Sequence, residues 1–308
     1  MKIYDRENKT YEEIEQFGAG KLEFLYNNAF GRLFLWLAVS PLVSGIYGKI
    51  NSTKKSAKKI PDFIKEQGID MRDFEDREYT SFNDFFTRKL REGARSTDMN
   101  PSSLIAPADS KLLVYRIEEG MRLFVKGREY TVNEILEDDT LSHEFDTGYA
   151  LVFRLCVDDY HRYCFPDSGS LITHKKIKGK LHTVRPVSKD HKIYKENSRE
   201  ISILETDHFD RIAFIEVGAL LVGKIVNNSL TAFDKGQEKG YFEPGGSTVI
   251  VLIKDIVNID EDILKESAEG IETKVKYGEK IGELKCYKDF ISITKNVIRF
   301  FRDCFLDL

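Results

Sequence analysis

The feature that most constrains the fold is a change of pattern near residue 104. Before it, apolar residues such as Phe24, Leu25 and Trp36 are dense and show no two-residue alternation, which predicts helices up to about Asp76. After it, Gly, Asp and Asn separate short β-type runs, the clearest of which are 112–117, 123–125, 149–157, 201–205, 211–217 and 248–253. The sequence therefore predicts an α+β chain, with a helical N-terminal region of residues 1–76 on a mainly antiparallel β core of residues 77–308.

Three local patterns refine this prediction. Phe82, Phe85 and Phe86 fall on one face of a helix predicted over residues 82–90, and we expect them to pack in a core. The run Thr131-Val132-Asn133-Glu134 has the spacing of a capping box, which predicts a short helix ending at residue 136. Residues 272–283 have the pattern of a β-hairpin.

Composition narrows the class of protein. The chain has 308 residues, of which 41% are hydrophobic, so it can build a normal core in one large domain or two modest ones. A net charge of -4 argues against a nucleic-acid partner. The polar N-terminus does not resemble a signal peptide. Neither the cysteines nor the histidines have metal-ligand spacing, so we expect no metal site and reduced thiols in a cytoplasmic protein. The cysteines are Cys156, Cys164, Cys286 and Cys304.

The longest apolar stretch, residues 33–46, has two interpretations. It is shorter than the roughly 18 residues that span a membrane, and Pro41 interrupts it. It can lie in the headgroup region of an anionic membrane, with a lysine cluster beside it. It can equally be a buried helical hairpin that precedes a solvated charged face. The cluster consists of Lys49, Lys54, Lys55, Lys58 and Lys59.

The run Gly245-Gly246-Ser247-Thr248 precedes a β-branched apolar strand. Such a run is commonly an ordinary turn. However, the freedom of Gly246 would also allow the Ser247 hydroxyl to attack the Gly246 carbonyl carbon and convert the peptide bond to an ester. Elimination would then cut the chain and turn Ser247 into a pyruvoyl group. This ketone can form a Schiff base with a substrate amine and act as an electron sink.

Further motifs surround this run, and their order and spacing resemble those of the phosphatidylserine decarboxylase family over residues 82–282. The resemblance extends more loosely over the N-terminal helices. The motifs are Phe82-Asn83-Asp84-Phe85-Phe86-Thr87-Arg88-Lys89-Leu90, Gly93-Ala94-Arg95, Ala106-Pro107-Ala108-Asp109-Ser110, Asp159-Tyr160-His161-Arg162-Tyr163, the glycine-containing run 217–225, and Lys235-Gly236-Gln237-Glu238-Lys239-Gly240-Tyr241-Phe242.

This resemblance implies an activity and partners. The chain would cleave itself between Gly246 and Ser247, and the chains 1–246 and 247–308 would stay associated as a heterodimer. The pyruvoyl group made from Ser247 would be the cofactor for decarboxylation of phosphatidylserine to phosphatidylethanolamine and CO2. A lipid substrate favours the membrane interpretation of residues 33–46. It also implies peripheral attachment to the anionic cytoplasmic face of the cell membrane, and a β-sandwich-like core.

We assign a catalytic triad of Asp109, His161 and Ser247, in which the resemblance implies the roles of Asp109 and Ser247. A serine needs a base at neutral pH, and the base needs a group that orients it. Without the resemblance, the simpler role for Asp109 in its Pro-Ala-Asp-Ser run is local hydrogen bonding to the backbone.

The sequence departs from the family at Cys164, where the family has a second motif histidine that serves as the triad base. A thiol cannot replace an imidazole as a base near neutral pH without a large pKa shift. Either His161 takes both roles or another histidine, such as His182, moves in. We favour His161 because it is the remaining histidine in a recognisable motif.

Two other functions stay open at this point. The chain can be a pyruvoyl decarboxylase for a soluble amino acid or for a different serine-headgroup lipid. Loss of the apolar and lysine-rich N-terminal segment would indicate this alternative, and that segment is present here. It can also be a non-enzymatic membrane-binding β module in which Gly246-Ser247 is only a turn. That module would remain one uncut chain.

Overall fold

A computed structural model describes residues 1–13, 19–28, 31, 34–35, 39–118, 120, 122–125, 128–182, 192–219, 224–244 and 247–285. Eight α-helices lie in these ranges, numbered in chain order. They are α1 Ala19–Asn27, α2 Pro41–Asn51, α3 Ile60–Gln67, α4 Phe82–Phe86, α5 Val132–Leu136, α6 Asp139–Ser142, α7 Ile193–Glu196 and α8 Glu261–Ala268. Short 3-10 turns cover Lys54–Lys59, Met71–Asp73 and His143–Phe145.

The same ranges contain eighteen strands, which form one large sheet and three smaller ones. The strands are β1 Lys2–Asp5, β2 Thr10–Glu13, β3 Ser103–Ile105, β4 Ser110–Ile117, β5 Arg122–Val125, β6 Arg128–Thr131, β7 Gly148–Leu155, β8 Arg162–Cys164, β9 Gly169–Ile177, β10 Arg199–Thr206, β11 Arg211–Gly218, β12 Ile225–Asn227, β13 Ala232–Phe233, β14 Glu238–Phe242, β15 Ser247–Lys254, β16 Val257–Ile259, β17 Glu272–Val275 and β18 Lys280–Leu284.

The large sheet has ten strands in the order β13-β9-β10-β11-β15-β7-β4-β17-β1-β2. Its pairs are antiparallel except that β1 runs parallel to β17. Strand β15 lies between β11 and β7, so both of its edges are hydrogen-bonded. A small sheet, β12-β14-β8, meets the large one where Tyr163 and Phe242 pack near Phe214. The fold thereby fixes both ends of the segment that contains the Gly-Gly-Ser run.

The predicted α+β class with mainly antiparallel sheets is confirmed. All six predicted strands are present, with boundaries that differ by at most two residues. The capping box at Thr131 is also confirmed, since its hydroxyl accepts from the Glu134 amide and the Glu134 carboxylate accepts from the Thr131 amide. Long runs of Val, Ile, Leu and Phe on β4, β7, β10, β11 and β15 form the main buried core. Successive residues of β11 and β15 are buried, so both faces of these strands are covered.

The prediction that the whole N-terminal region is helical is wrong for residues 1–13. These residues form the β1–β2 hairpin at the edge of the large sheet. The inward positions of β1 are Ile3 and Asp5, and Asp5 is buried because Lys274 and Asn8 bond to its carboxylate. One of the two inward residues is therefore charged, so apolar alternation does not reveal this strand. The predicted domain boundary at Asp76 stays a prediction.

Two other predicted elements are also corrected. The helix predicted over residues 82–90 ends at Phe86, and Thr87 caps it. Strands β17 and β18 follow each other, but they pair with β4 and β1, and with β3 and β16, rather than with one another. The chain diverges at the turn between them because the Gly278 amide donates to the Ala106 carbonyl.

The aromatic face of α4 packs as predicted. Phe82, Phe85 and Phe86 form a cluster with Ile60, and Phe63 meets Phe82 edge-on at 5.1 Å between ring centroids. Trp36 and much of the apolar stretch lie outside the described residues. Within the part of the chain that is described, no helix has the length and apolarity needed to cross a bilayer.

Candidate active site

Ser247 is the first residue of β15 and is completely buried. It lies opposite Gly218 on β11 and Leu155 on β7. Its Oγ has no hydrogen-bond partner among the described residues. Gly245 and Gly246, and with them the bond predicted to break, lie outside those residues. A buried hydroxyl without a partner is costly in a core, so the Ser247 hydroxyl is available for another interaction.

His161 lies at the corner of the fold next to this strand. Strand β7 ends at Leu155, opposite Ser247, and a short turn returns the chain to His161 at the start of β8. The His161 carbonyl accepts from the amide of Phe242, the last residue of β14. Ser247 is therefore paired with the end of β7, and His161 follows the turn that leaves this strand.

The tautomer of His161 follows from its contacts. Its Nδ1 lies 2.8 Å from the Asp159 carbonyl oxygen. Since a carbonyl can only accept, Nδ1 must carry the hydrogen, and the lone pair of the neutral ring is on Nε2. The ring is completely buried, and Phe86 packs against it with 4.1 Å between centroids. This arrangement suits Nε2 to accept a proton.

Asp109 lies close to the backbone of Cys164 and has two hydrogen-bond donors of its own. Its Oδ2 accepts from Arg95 Nη2 at 2.9 Å and its Oδ1 accepts from the Tyr277 amide at 2.8 Å. The Cys164 amide donates to the carbonyl of Pro107, two residues before Asp109. In these contacts the Asp159 carbonyl, rather than the Asp109 carboxylate, orients His161. The expectation that Asp109 holds the His161 ring is therefore not met in the described contacts, and its place in the triad stays a prediction.

The thiol of Cys164 is unsuited to act as a base. Complete burial raises the pKa of the Cys164 thiol to about 12, so the thiol keeps its proton at neutral pH. The structure therefore gives no support for Cys164 as the base, and the assignment of a histidine to this role stays a prediction.

His182 remains the second candidate for the base. Its carbonyl accepts from Asn197 Nδ2, which also donates to the carbonyl of Gly218, the residue opposite Ser247. The His182 ring faces the Tyr26 hydroxyl through Nδ1 and the Glu196 carboxylate, 3.7 Å from Nε2. Both ring nitrogens of His182 thus face other polar side chains, and for this reason we keep His161 as the preferred candidate.

Polar groups that the sequence did not single out support the His161 turn. Lys111 Nζ lies 2.6 Å from Asp159 Oδ1, and the Cys156 amide donates to Oδ2 of the same carboxylate. Burial raises the pKa of Asp159 to about 6, although Lys111 opposes the shift. Asp159 and Arg95 lie within the motifs quoted from the sequence. No sequence pattern points to Lys111, because its role depends on the pairing of β4 with β7.

Searching the described ranges finds no group of three or more His, Cys, Asp and Glu side chains positioned to hold an ion. The described cysteines, Cys156 and Cys164, form no disulfide.

Comparison with known proteins identifies the family. Residues 82–283 match the phosphatidylserine decarboxylase family. The chain is 53% identical to phosphatidylserine decarboxylase proenzyme 2 of Clostridium acetobutylicum, over 91% of this chain and 98% of that protein. It is 41% identical to a phosphatidylserine decarboxylase proenzyme of Ruminiclostridium cellulolyticum, over 92% and 97%, and 41% identical to one of Fusobacterium nucleatum, over 92% and 98%. The resemblance inferred from the motifs is confirmed, and this chain belongs to the phosphatidylserine decarboxylase family.

Proposed function

We propose that this protein cleaves itself between Gly246 and Ser247 and then decarboxylates phosphatidylserine to phosphatidylethanolamine and CO2. The observation that carries the proposal is the buried Ser247 hydroxyl, which has no partner among the described residues, directly after a glycine pair. Family membership supports the same reaction, and the relatives are named proenzymes.

Self-cleavage would use Ser247 as the nucleophile. His161 Nε2 takes the hydroxyl proton while Oγ bonds to the Gly246 carbonyl carbon. The C–N bond breaks, the proton passes to the released Ser247 nitrogen, and an ester remains. Loss of the Ser247 Cα proton then expels the Gly246 carboxylate. Water hydrolyses the resulting dehydroalanine, releasing ammonia and leaving the pyruvoyl group.

The surroundings of Ser247 fit a pyruvoyl group. Gly218, directly opposite, has no side chain, and the Leu181 side chain covers this position. The pyruvoyl ketone supplies an electrophilic carbonyl for the substrate amine and an acceptor for the electrons released as CO2 leaves. The buried apolar wall, which includes Leu155, excludes water and disfavours a charged carboxylate. His161 would return the proton to the substrate carbon.

The two product chains would stay together as a heterodimer. Strand β15 pairs along its whole length with β7, from Ser247 opposite Leu155 to Lys254 opposite Gly148, and also pairs with β11. Its apolar side chains are part of the main core. Cutting before Ser247 removes none of these contacts.

The substrate is tested by giving the purified protein either phosphatidylserine or free serine. We expect CO2 release from phosphatidylserine in mixed micelles, with phosphatidylethanolamine as the product, and little or none from free serine. Equal turnover of free serine would favour the soluble-substrate alternative. A protein that is cut at Ser247 yet inactive on phosphatidylserine would contradict the proposed substrate.

Helix α2 supports attachment to a membrane. Leu42, Ile46 and Ile50 are spaced four residues apart and are 74%, 53% and 53% exposed, which is unusual for large apolar side chains on one helix face. The exposed lysine cluster, which includes Lys49, begins on the same helix. An apolar face beside a lysine cluster suits the anionic headgroup region. We infer peripheral attachment there, on the cytoplasmic face, whose leaflet carries the negative surface potential.

Replacing the exposed face of α2 should weaken membrane binding. The triple variant Leu42→Ser/Ile46→Ser/Ile50→Ser should bind phosphatidylserine-containing vesicles at least about tenfold more weakly, since each side chain loses roughly 1 kcal/mol of apolar burial. Ile172→Ser, at an equally exposed position on β9, is the matched control and should bind normally. Vesicle sedimentation at low and high salt measures both effects. Unchanged binding of the triple variant would make α2 structural only.

A further inference from the structure

Arg88 is a buried cation in the wall around His161. It follows α4 and is 1% exposed. Its guanidinium lies between the rings of Phe74 and Phe85, at 4.3 and 4.9 Å from their centroids. Its Nε and Nη1 have no hydrogen-bond partner in the described part of the chain. Burying an arginine without a carboxylate partner destabilises the folded protein, so we expect the Arg88 charge to have a function.

The third guanidinium nitrogen connects Arg88 to His161. Arg88 Nη2 donates to the carbonyl oxygens of Asp158 at 3.1 Å and Asp159 at 3.4 Å. The Asp159 oxygen is also the acceptor for His161 Nδ1. One carbonyl therefore accepts from both side chains, and the two nitrogens lie within about 6 Å of each other, close enough for one charge to affect the other's protonation.

Other charges around the ring are largely compensated. Within the described ranges, Lys111 pairs with Asp159, Arg95 with Asp109, and Arg162 with Glu238. The other acids on the turn, on α4 and next to β14 are Asp158, Asp84 and Glu243, and Asp84 pairs with Arg77. A negative charge near the ring would favour its protonated form, and the charge of Arg88 opposes that effect. Burial lowers the pKa of Arg88 to about 10, so it still carries its charge at neutral pH.

We propose that Arg88 is a positioning residue for self-cleavage. It holds the Asp159 carbonyl that binds His161 Nδ1, and its charge keeps the imidazole neutral, so that Nε2 retains the lone pair that accepts the Ser247 proton. The inference rests on the proposed function in one respect, the role of His161 as the base.

The protonation of His161 can be measured without cleavage. In the Ser247→Ala background, histidine ring NMR follows the six histidines of the chain through a pH titration, and the signal lost in His161→Gln identifies His161. Arg88→Gln keeps a polar amide at this position but removes the charge. We expect the midpoint of His161 protonation to rise by about one pH unit or more. Arg88→Lys keeps the charge and should leave the midpoint close to that of the parent.

The control removes a charge pair instead of a single charge. The double variant Arg162→Gln/Glu238→Gln changes a charge pair next to His161 but leaves the net charge unchanged. The midpoint of His161 protonation should therefore move little. A folded Arg88→Gln protein with an unchanged midpoint overturns the proposal. If Arg88→Gln does not fold, the Ser247→Ala protein itself still tests the proposal. A His161 ring that is charged at pH 7, or that carries its hydrogen on Nε2 when neutral, contradicts the proposal.

A second readout separates this inference from the proposed function. With Ser247 restored, the acid limb of the cleavage rate against pH should move up in Arg88→Gln by the same amount as the NMR midpoint. A shifted NMR midpoint with an unshifted cleavage profile supports the role of Arg88 and contradicts His161 as the base.

Discussion

Ser247→Ala leaves a single uncut chain without decarboxylase activity. The substitution removes both the nucleophile and the atoms that become the pyruvoyl group, so we expect loss of cleavage and of turnover to the limit of detection. Denaturing gels over a long incubation measure the first, and CO2 release from phosphatidylserine measures the second.

Thr248→Ala is the matched control for this variant. Thr248 is the next residue of β15, is equally buried, and has an Oγ1 without a partner among the described residues. Neighbouring residues of a strand point to opposite faces, so its hydroxyl does not face the same site as that of Ser247. Thr248→Ala should be cut and active. Cleavage of Ser247→Ala, or a Thr248→Ala protein that is folded but uncut, would contradict the assignment of Ser247.

His161→Ala is expected to slow self-cleavage by about 10²–10⁴-fold, the usual effect of losing a general base. Cys164→Ala should be cut at a rate close to wild type, because a buried thiol that keeps its proton transfers none. Asp109→Ala should also accumulate precursor, because the resemblance to the family places Asp109 in the self-cleavage triad; normal cleavage of this variant would remove Asp109 from that role. A processing time course on denaturing gels compares the three variants.

The same time course distinguishes the two candidate histidines. A wild-type rate in His161→Ala together with a stalled His182→Ala would transfer the role of base to His182, which reaches Gly218 through Asn197. Cys164→His restores the family residue beside Asp109. If His161 serves as base only because Cys164 replaced the usual histidine, the double variant His161→Ala/Cys164→His should be cut again.

Sequence reasoning found the parts of the site that local motifs encode. Ser247 and His161 stand in short runs whose residue types suggest their chemistry, and the strand that starts at Ser247 follows from its β-branched pattern. The capping box at Thr131 is similarly local. These features need no knowledge of which strands become neighbours.

The features that the sequence could not supply depend on distant pairings. Asp109 meets the Tyr277 amide across 168 residues of chain, and Arg88 meets the turn before His161 across about 70. The β1 strand was missed because Asp5 faces inward and is compensated by Lys274 from the far end of the chain. The periodicity of apolar residues in a short stretch of sequence cannot predict such long-range contacts.

Intact mass of the purified wild-type protein tests the central claim most directly. We expect two chains, one ending at Gly246 and one whose mass corresponds to residues 247–308 with a pyruvoyl group in place of Ser247. The second chain should resist N-terminal sequencing. A wild-type preparation that decarboxylates phosphatidylserine while remaining one full-length chain of 35.5 kDa would contradict it.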